Sequence, residues 1–485
     1  MGVWGRSPQG FGFCPKGSMF WYSRENQDSG WELGMKDQGT INRFGHYTQD
    51  LVPDDVPLAE RPGHKLRTST VIVDRAKLTT HPAENESFQN GDAPSGTQVN
   101  SVVDGGGATD IPNLFSGPSF RNPRERFRFD GHKMVYHLDR VLAWQRGERF
   151  APIHIDMGLT KFCNTACIYC YAVVQNMTKG TMIQREALLR YIEDCGRLGV
   201  RSIGFIGDGE PTLNPALYDA TVLAKKVGVD TGMGTNGLLL DMDRAEDLLS
   251  SMSFMRINLS AGTPEGFQKI HQSSGRNFHL LKDKIRELVR LKKRLNLKCT
   301  IGLQMVLIPE CFDQIIPEAE LGLELGVDYF VIKQCADSEY KELGIDYSAY
   351  VSAEEPLRQV EKLSTPEYVV QVKWNKIGAA GNTSIYSSGI RKYDICYGTP
   401  FLSQISGNGK VYPCGPFYNK ERFLIGNIHN ESFYDIVMGD RYWEVHADIA
   451  RVVDVHKDCA IGCRQDYINK FLWDLQNPPD HINFI

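Results

Sequence analysis

Residues 153–170 read IHIDMGLTKFCNTACIYC, and this stretch indicates the fold of the long central part of the chain. Its start, 153–157, is a short apolar run typical of a buried β-strand. Three cysteines, Cys163, Cys167 and Cys170, follow this run closely. In sheets built from repeated strand–helix units, functional loops follow the carboxyl ends of the strands. We therefore expect the three thiols to lie in a functional loop.

Short apolar runs and amphipathic stretches alternate beyond this loop, as in repeated βα units around a parallel sheet. The predicted strands are 153–157, 201–206, 229–234, 254–260, 298–307 and 328–333. The predicted helices between them are 184–198, 216–227, 241–251, 276–296 and 312–325. The pattern predicts an α/β protein whose central region, 148–390, forms a partial (β/α)6 barrel.

Two regions of different composition flank the predicted barrel. Residues 1–125 are rich in Gly, Asn, Asp, Ser and Pro and show little periodicity, which predicts a largely irregular N-terminal extension. Residues 391–485 combine cysteine, glycine and aromatic residues with two short helical stretches near 431–450. We expect this C-terminal region to form a smaller, cysteine-rich domain.

The composition of the 485-residue chain restricts its possible functions. Hydrophobic residues make up 41% and charged residues 23%, as in soluble globular proteins, and no apolar run is long enough to predict a membrane span. The net charge of −5 argues against nucleic-acid or acidic-membrane partners. The opening residues MGVWGRSPQGFGFC lack the order of a secretory signal, so we expect a cytoplasmic protein. In that reducing compartment, twelve cysteines favour metal or redox chemistry over disulfides.

The spacing of Cys163, Cys167 and Cys170 suits an iron–sulfur cluster. Soft thiolates ligate such clusters, and three of them would leave one iron of a 4Fe-4S cube open to a small molecule. A zinc site or three buried free cysteines are the alternatives, but zinc usually needs a nearby fourth Cys or His, and the nearest histidine, His154, is inside the preceding strand. The CxxxCxxC pattern, with the aromatic Tyr169 before its last cysteine, resembles the radical S-adenosylmethionine superfamily.

That resemblance implies that the three cysteines hold a 4Fe-4S cluster that binds S-adenosylmethionine. It further implies reductive cleavage of this cosubstrate to methionine and a 5′-deoxyadenosyl radical, which removes a hydrogen atom from the substrate. The sequence GDGEPT at 207–212 looks like the family's Gly-Gly-Glu segment, with Asp208 in place of one glycine. Its Gly207, Gly209 and Glu210 are therefore candidate cofactor-binding residues, since small residues let backbone carbonyls approach the methionine ammonium.

Residues at the ends of other strands are further candidates for the cosubstrate site. The resemblance adds Tyr169 in the cysteine loop and Asn236, whose Thr-Asn-Gly turn is similar to one in the family. It also implies that Ser260, together with Asn258, hydrogen bonds to the ribose or the methionine carboxylate. Gln304 on the fifth strand is a candidate by position only. Ordinary turn chemistry is the alternative for Asn236 and Ser260, because Asn-Gly and Ser are favoured in turns.

Four cysteines in the C-terminal region form a second group, namely Cys396, Cys414, Cys459 and Cys463. The interval from Cys396 through Gly409 to Cys414 fits the CxnGx4C opening of the SPASM and twitch domains that follow many radical enzymes, and it resembles a dehydrogenase acting on an aminocyclitol hydroxyl. Four thiolates would complete one auxiliary 4Fe-4S cluster with no open iron. Further cysteines for a second auxiliary cluster are absent from the sequence, which favours the shorter, twitch-like form. A structural zinc site with the same four ligands is the alternative.

Cys335 is the one remaining cysteine with a candidate catalytic role. In the order Lys333-Gln334-Cys335 it follows the sixth predicted strand, where a thiol could return a hydrogen atom to a substrate radical. Related epimerases need such a donor. The alternative is that Cys335 is a small buried side chain with a packing role only.

Three hypotheses for the function follow from these motifs. The first is a radical oxidoreductase that dehydrogenates or epimerises a small hydroxylated molecule, such as a sugar or aminocyclitol, with flavodoxin or ferredoxin as reductant. The second is modification of a peptide or protein side chain, although residues 1–125 show no βαβ or winged-helix pattern of a peptide-recognition domain. The third is a non-enzymatic iron–sulfur or zinc scaffold, which leaves the GDGEPT, Thr-Asn-Gly and Ser260 features unexplained.

Overall fold

A computed structural model of the chain describes residues 127, 133–170, 181–337, 342–374, 377, 391–459 and 463–484. The predicted irregular extension at 1–125 lies outside these residues. None of the described helices is both long and apolar enough to cross a bilayer.

One continuous sheet organises the described chain. Its strands are β1 (His154–Met157), β2 (Ser202–Phe205), β3 (Asp230–Thr235), β4 (Met252–Asn258), β5 (Thr300–Leu307), β6 (Tyr329–Gln334), β7 (Val369–Val372), β8 (Leu402–Ile405), β9 (Lys410–Tyr412) and β10 (Gly426–Asn427). The strand order is β10-β9-β8-β1-β2-β3-β4-β5-β6-β7. Strands β1 to β7 run parallel, β8 joins β1 in parallel, and β9 and β10 continue in antiparallel pairs. The order is linear, so the sheet is open, as a partial barrel requires.

Helices connect most of the parallel strands. They are α1 (Leu138–Gln145), α2 (Arg185–Leu198), α3 (Leu217–Lys226), α4 (Ala245–Ser251), α5 (Pro264–His271), α6 (Gly275–Arg294), α7 (Ile315–Leu325), α8 (Glu354–Glu361), α9 (Phe433–Met438), α10 (Asp440–Val452) and α11 (Asp466–Gln476). In α6 the buried residues Phe278, Leu281 and Ile285 recur at helical spacing and turn one face to the core. Gly199 and Gly326, both at φ 70°, end α2 and α7 in the left-handed conformation that glycine tolerates best.

The six predicted strands and the five predicted helical segments are confirmed, with shifts of a few residues at their ends. Within the predicted barrel region, strand β7 and helices α5 and α8 were missed. The four residues Val369–Val372 are too short to show a period, and α5 follows β4 after only five residues.

The C-terminal region shares the barrel's sheet. His154 of β1 pairs with Ser202 of β2 on one side and with Leu402 of β8 on the other. Because β1 lies between the two, the strand that leads to the first cysteine loop is fixed by both halves of the chain.

Candidate functional site

The loop at 163–170 follows β1, at the carboxyl edge of the parallel sheet. Its backbone is held by α5: Ala166 N donates to His271 O at 3.3 Å and Ile168 N to Ile270 O at 3.0 Å. On its other side, Glu210 N donates to Phe162 O at 2.8 Å. The three cysteines are thus presented by a loop that is fastened to the ends of β2 and α5.

The His271 side chain contacts one of these thiols. Its Nδ1 lies 3.1 Å from Cys167 Sγ, while its Nε2 accepts a hydrogen bond from Ser260 N at 3.0 Å. Burial lowers the pKa of His271 to about 4, so the ring is neutral. Since Nε2 is the acceptor, Nδ1 carries the proton and donates toward the sulfur.

The position of His271 corrects one step of the sequence-based reasoning. His271 lies far from the three cysteines in the sequence, but folding brings it against Cys167. The proton on Nδ1 leaves no lone pair on that nitrogen for a metal. His271 therefore acts as a hydrogen-bond donor to the loop. It does not supply the fourth ligand that a zinc site would need.

Burial also shapes the chemistry of the cysteine loop. It raises the pKa of Cys167 to about 12, with Cys170 and Cys163 adding to the rise. A thiol must lose its proton to bind a metal. Bound iron would supply the positive charge that keeps the three neighbouring sulfurs deprotonated in this partly buried loop.

Glu210 joins the ends of β2 and β3 through its buried carboxylate. This group accepts hydrogen bonds from Thr212 N at 3.1 Å, Thr212 Oγ1 at 2.7 Å, Thr235 Oγ1 at 2.5 Å and Asn236 N at 2.7 Å. Asn236 in turn donates from Nδ2 to Asn164 Oδ1 at 2.7 Å, next to Cys163. Glu210 thus orients the Asn236 side chain toward the cysteine loop.

The two glycines of GDGEPT are required by close packing against β1. A Cβ on Gly207 would lie 2.4 Å from Gly158 N, and a Cβ on Gly209 would lie 2.1 Å from Thr160 O. Gly209 also adopts φ 75°, where a side chain is strained. The glycines therefore bring the β2 loop against the start of the cysteine loop.

Asp208, which replaces a glycine of the family pattern, links the barrel to the C-terminal region. Its Oδ2 accepts from Ser406 Oγ and its Oδ1 from Gly407 N, each at 2.9 Å, and the ammonium of Lys161 lies 3.7 Å from Oδ2. Lys161 and Asp208 are both buried. Burial raises the pKa of Asp208, and Lys161 opposes that rise. Asp208, the departure from the family pattern, thus holds the turn between β8 and β9 by two hydrogen bonds.

Hydrogen bonds connect the predicted residues at the end of β4, Asn258 and Ser260, to strand β5. Gln304 Nε2 donates to Asn258 Oδ1 at 2.9 Å, and Ser260 Oγ accepts from Val306 N at 3.0 Å. Ser260 also donates its backbone N–H to His271. These residues connect the middle of the sheet to the histidine beside the cysteine loop.

Cys335 lies close to the last cysteine of that loop, as the sequence predicts from its position after β6. Its Sγ is 3.8 Å from Tyr169 O, and Cys170 is the next residue. Burial raises the pKa of Cys335 to about 12, with Lys333 opposing the rise, so the group is a neutral thiol. A neutral thiol is the form that can give up a hydrogen atom.

The four C-terminal thiols gather in one partly buried group. Burial raises the pKa of Cys396 to about 11 and that of Cys459 to about 12, and it holds the pKa of Cys414 well above its ordinary value. Cys463 adds to each of these rises through electrostatic repulsion. Folding therefore brings together all four cysteines that the sequence grouped.

An ion pair between a half-exposed arginine and a buried aspartate connects this second group to β1. Arg464, adjacent to Cys463, places its Nε 2.6 Å from Asp156 Oδ2 and its Nη2 2.9 Å from Oδ1. Burial alone would raise the pKa of Asp156, but Arg464 and His154 bring it below the ordinary value. The C-terminal cysteine group is thus tied to the strand that leads to Cys163.

The sequence did not predict the structural roles of three residues. The contacts of His271, Asp208 and Arg464 join segments that are far apart in the chain, and no local pattern marks such pairs. Helix α5 alone left a local signal: Thr263 caps it by accepting from Gly266 N at 3.1 Å, and Pro264 follows the cap.

An open α/β sheet with a cysteine loop at its carboxyl edge, followed by a four-cysteine region, defines a class of iron–sulfur enzymes. Residues 157–321 match the Radical SAM superfamily, and residues 396–464 match the SPASM family, an iron–sulfur cluster-binding domain. The chain therefore carries a Radical SAM domain at 157–321, followed by a SPASM domain at 396–464. Its cofactors are accordingly S-adenosylmethionine, the 4Fe-4S cluster that binds it, and the iron–sulfur cluster bound by the SPASM domain.

Known proteins resemble the chain at low identity. The tungsten-containing aldehyde ferredoxin oxidoreductase cofactor-modifying protein of Pyrococcus furiosus is 21% identical, over 60% of this chain and 82% of its own. The AdoMet-dependent heme synthase of Methanosarcina barkeri is 22% identical, over 65% of this chain and 91% of its own. Among solved structures, SuiB of Streptococcus suis bound to S-adenosylmethionine is 15% identical, with a TM-score of 0.48 and coverage of 65% of this chain and 72% of its own.

Proposed function

We propose that this radical SAM enzyme removes a hydrogen atom from a small hydroxylated molecule, such as a sugar or aminocyclitol, and completes a dehydrogenation. The barrel at 148–390 would hold the reacting molecules, and the region at 391–485 would hold one auxiliary cluster. The observation that carries the proposal is the pairing of an open three-cysteine loop with a closed four-cysteine group, joined through β1.

Both cysteine groups fit iron–sulfur clusters better than single ions. A zinc ion draws its four ligands to about 2.0–2.3 Å from one point. A 4Fe-4S cube instead gives each thiolate its own iron, so its ligands stand further apart. The two cysteine groups lie in segments that match the Radical SAM superfamily and the SPASM iron–sulfur cluster-binding domain. We assign Cys163, Cys167 and Cys170 to the first cluster, and Cys396, Cys414, Cys459 and Cys463 to the second.

The cofactors would supply the radical that removes the hydrogen atom and an acceptor for the second electron of the oxidation, and the hydroxyl proton of the substrate would leave to water. The protein's own residues orient the reactants. Asn236, held by Glu210, stands beside Cys163, and Ser260 stands beside the His271 that contacts Cys167. We place the S-adenosylmethionine site between these side chains, with Tyr169, Gly207 and Gly209 shaping its floor.

The face of the sheet that is turned away from the helices carries polar and charged side chains, which favours a polar substrate. Met255 and Ile257 of β4 belong to the core that packs on the helices, so Arg256 and Asn258 between and after them point to the other face. By the same alternation, that face also carries Asp156, Gln304, Lys333 and Gln371. Hydroxyl groups of a sugar or cyclitol are natural hydrogen-bond partners for such side chains.

Peptide modification is the second candidate. The PqqA peptide cyclase of Gluconobacter oxydans is 25% identical to this chain over 24% of its length and 33% of that protein. Of the relatives named above, one is called a cofactor-modifying protein and another a heme synthase, so the relatives as a group do not single out a peptide. The polar sheet face favours the small molecule.

The proposal is tested by anaerobic reconstitution with iron and sulfide, followed by reaction with S-adenosylmethionine and a reductant such as flavodoxin or ferredoxin. We expect about eight irons per chain, as two 4Fe-4S clusters require. We also expect 5′-deoxyadenosine to form and to carry deuterium from a deuterated sugar or cyclitol, with a product lighter by two hydrogens. Cleavage that persists after Cys163, Cys167 and Cys170 are all replaced by Ala would refute the cluster assignment. Deuterium transfer from precursor peptides, with none from sugars or cyclitols, would favour the second candidate.

Cys335 separates dehydrogenation from epimerisation. If the enzyme dehydrogenates, Cys335→Ala leaves the product unchanged, because no hydrogen atom has to be returned. If it epimerises, the same variant stalls or yields an oxidised product. Mass spectrometry of the products distinguishes the two reactions.

A further inference from the structure

The Asn469 side chain donates a hydrogen bond into the C-terminal cysteine group. Its Nδ2 lies 3.3 Å from Cys396 Sγ, and the residue is fully buried. Its Oδ1 accepts from Tyr397 N and Gly398 N, both at 2.7 Å. These two backbone donors fix the orientation of the amide, since only its oxygen can accept them. The N–H group therefore has to face the sulfur.

Arg391 places a cation on another side of the same group. The residue is 5% exposed, its guanidinium hydrogen bonds to the Cys459 side chain, and its Nη1 donates to Val455 O. An arginine guanidinium stays protonated in proteins. A full positive charge therefore lies against the Cys459 side chain.

Both contacts favour negative charge at the four sulfurs. Adding an electron to a cluster with four thiolate ligands makes it more negative, and a buried cation stabilises the more negative form most. Hydrogen bonds to the sulfurs act in the same direction. One contact acts against them: Gln465 Oε1 lies 3.8 Å from Cys396 Sγ, while its Nε2 donates to Leu402 O and Pro413 O. A neutral amide oxygen at that distance offsets only part of the effect of a full charge.

We propose that Arg391 and Asn469 raise the reduction potential of the auxiliary cluster. The inference rests on the proposed function, because it requires a cluster at Cys396, Cys414, Cys459 and Cys463. It adds the two side chains that set the reduction potential of this cluster.

The test is a redox titration of the anaerobically reconstituted full-length protein, followed by electron paramagnetic resonance of both reduced clusters. Arg391→Gln removes the charge, Arg391→Lys keeps it, and Asn469→Leu removes the N–H donor at nearly equal volume. We expect Arg391→Gln to weaken reduction of the auxiliary cluster at least tenfold, a fall of about 59 mV for a one-electron couple. Asn469→Leu should lower the same potential, whereas Arg391→Lys should retain most of the wild-type value.

Arg290→Gln is the matched control, because it makes the same substitution on α6 at a side chain that is 67% exposed. It should leave both potentials unchanged, and the potential of the first cluster should be constant throughout the series. Unchanged auxiliary potentials in both Arg391→Gln and Asn469→Leu, with full iron content, would overturn the inference alone. A wild-type protein with one cluster signal and about four irons would instead overturn the proposed function, and the inference with it.

Discussion

At the scale of single residues, the hydrogen bonds of His271 set its role. The ring donates to Cys167 and accepts from Ser260, and it stacks on Phe267 with centroids 4.7 Å apart and planes at 26°. It therefore joins a predicted cluster ligand to a predicted cosubstrate residue. A side chain that fixes two such residues at once acts as a positioning residue for both.

His271→Phe keeps the stacked ring but removes both hydrogen bonds. The buried N–H of Ser260 then loses its acceptor, so we expect the free energy of unfolding to fall by about 1–3 kcal/mol. Loss of the donor to Cys167 should also lower the reduction potential of the first cluster, measured by anaerobic redox titration. Phe267→Leu is the control, since it disturbs packing and leaves both hydrogen bonds. The positioning role is wrong if His271→Phe and Phe267→Leu shift that potential equally.

Residue spacing within one loop could be predicted, whereas contacts across the fold could not. Cys163, Cys167 and Cys170 lie within one short segment, so their common role is visible in the sequence. His271 is 104 residues from Cys167, and only the packing of α5 on the loop brings them together. Histidines occur in many buried positions, and nothing in the residues around 271 marks it as a sulfur contact.

At the scale of secondary-structure elements, the turn between β8 and β9 packs on the entrance to the cysteine loop. A Cβ on Gly407 would lie 2.3 Å from the carbonyl carbon of Thr160, so the two backbones touch. Asp208 accepts from both residues at the start of this turn. The alternation of strands and helices predicted β1 and β2 well, but it could not show that a turn some 200 residues later would lie between their loops.

Asp208→Gly restores the glycine of the family pattern and removes both the hydrogen-bond acceptor of Ser406 and Gly407 and the ion-pair partner of Lys161. Because Lys161 would be left as a buried, unpaired cation, we expect a loss of about 3 kcal/mol in the free energy of unfolding. Ser406→Ala removes only one hydrogen bond and should cost about 1 kcal/mol. Denaturant unfolding under anaerobic conditions measures both values. Equal losses in the two variants would show that the Asp208–Lys161 pair contributes nothing.

At the scale of the whole molecule, Asp156 and Arg464 join the two cysteine groups. Asp156 precedes Cys163 by seven residues on β1, and Arg464 directly follows Cys463. The pair is bidentate, with one buried partner and one that is 44% exposed. Movement of either cysteine group relative to the other would strain this contact.

A double-mutant cycle of Asp156→Asn and Arg464→Gln measures the coupling. We expect an interaction free energy of about 1–2 kcal/mol, below that of a fully buried pair because solvent screens Arg464. Thermal or denaturant unfolding of the four proteins provides the values. Strict additivity of the two substitutions would mean that the pair does not couple the two regions.

The parallel pairing of β8 with β1 has a consequence for dividing this protein at its apparent domain boundary. A chain cut before residue 396 would lose β8 and leave β1 as an unprotected edge strand, with free N–H and C=O groups beside the cysteine loop. Such edges recruit strands from other molecules and promote aggregation. Chimeras that exchange C-terminal regions between relatives should therefore include a compatible β8, since this strand completes the scaffold of the barrel.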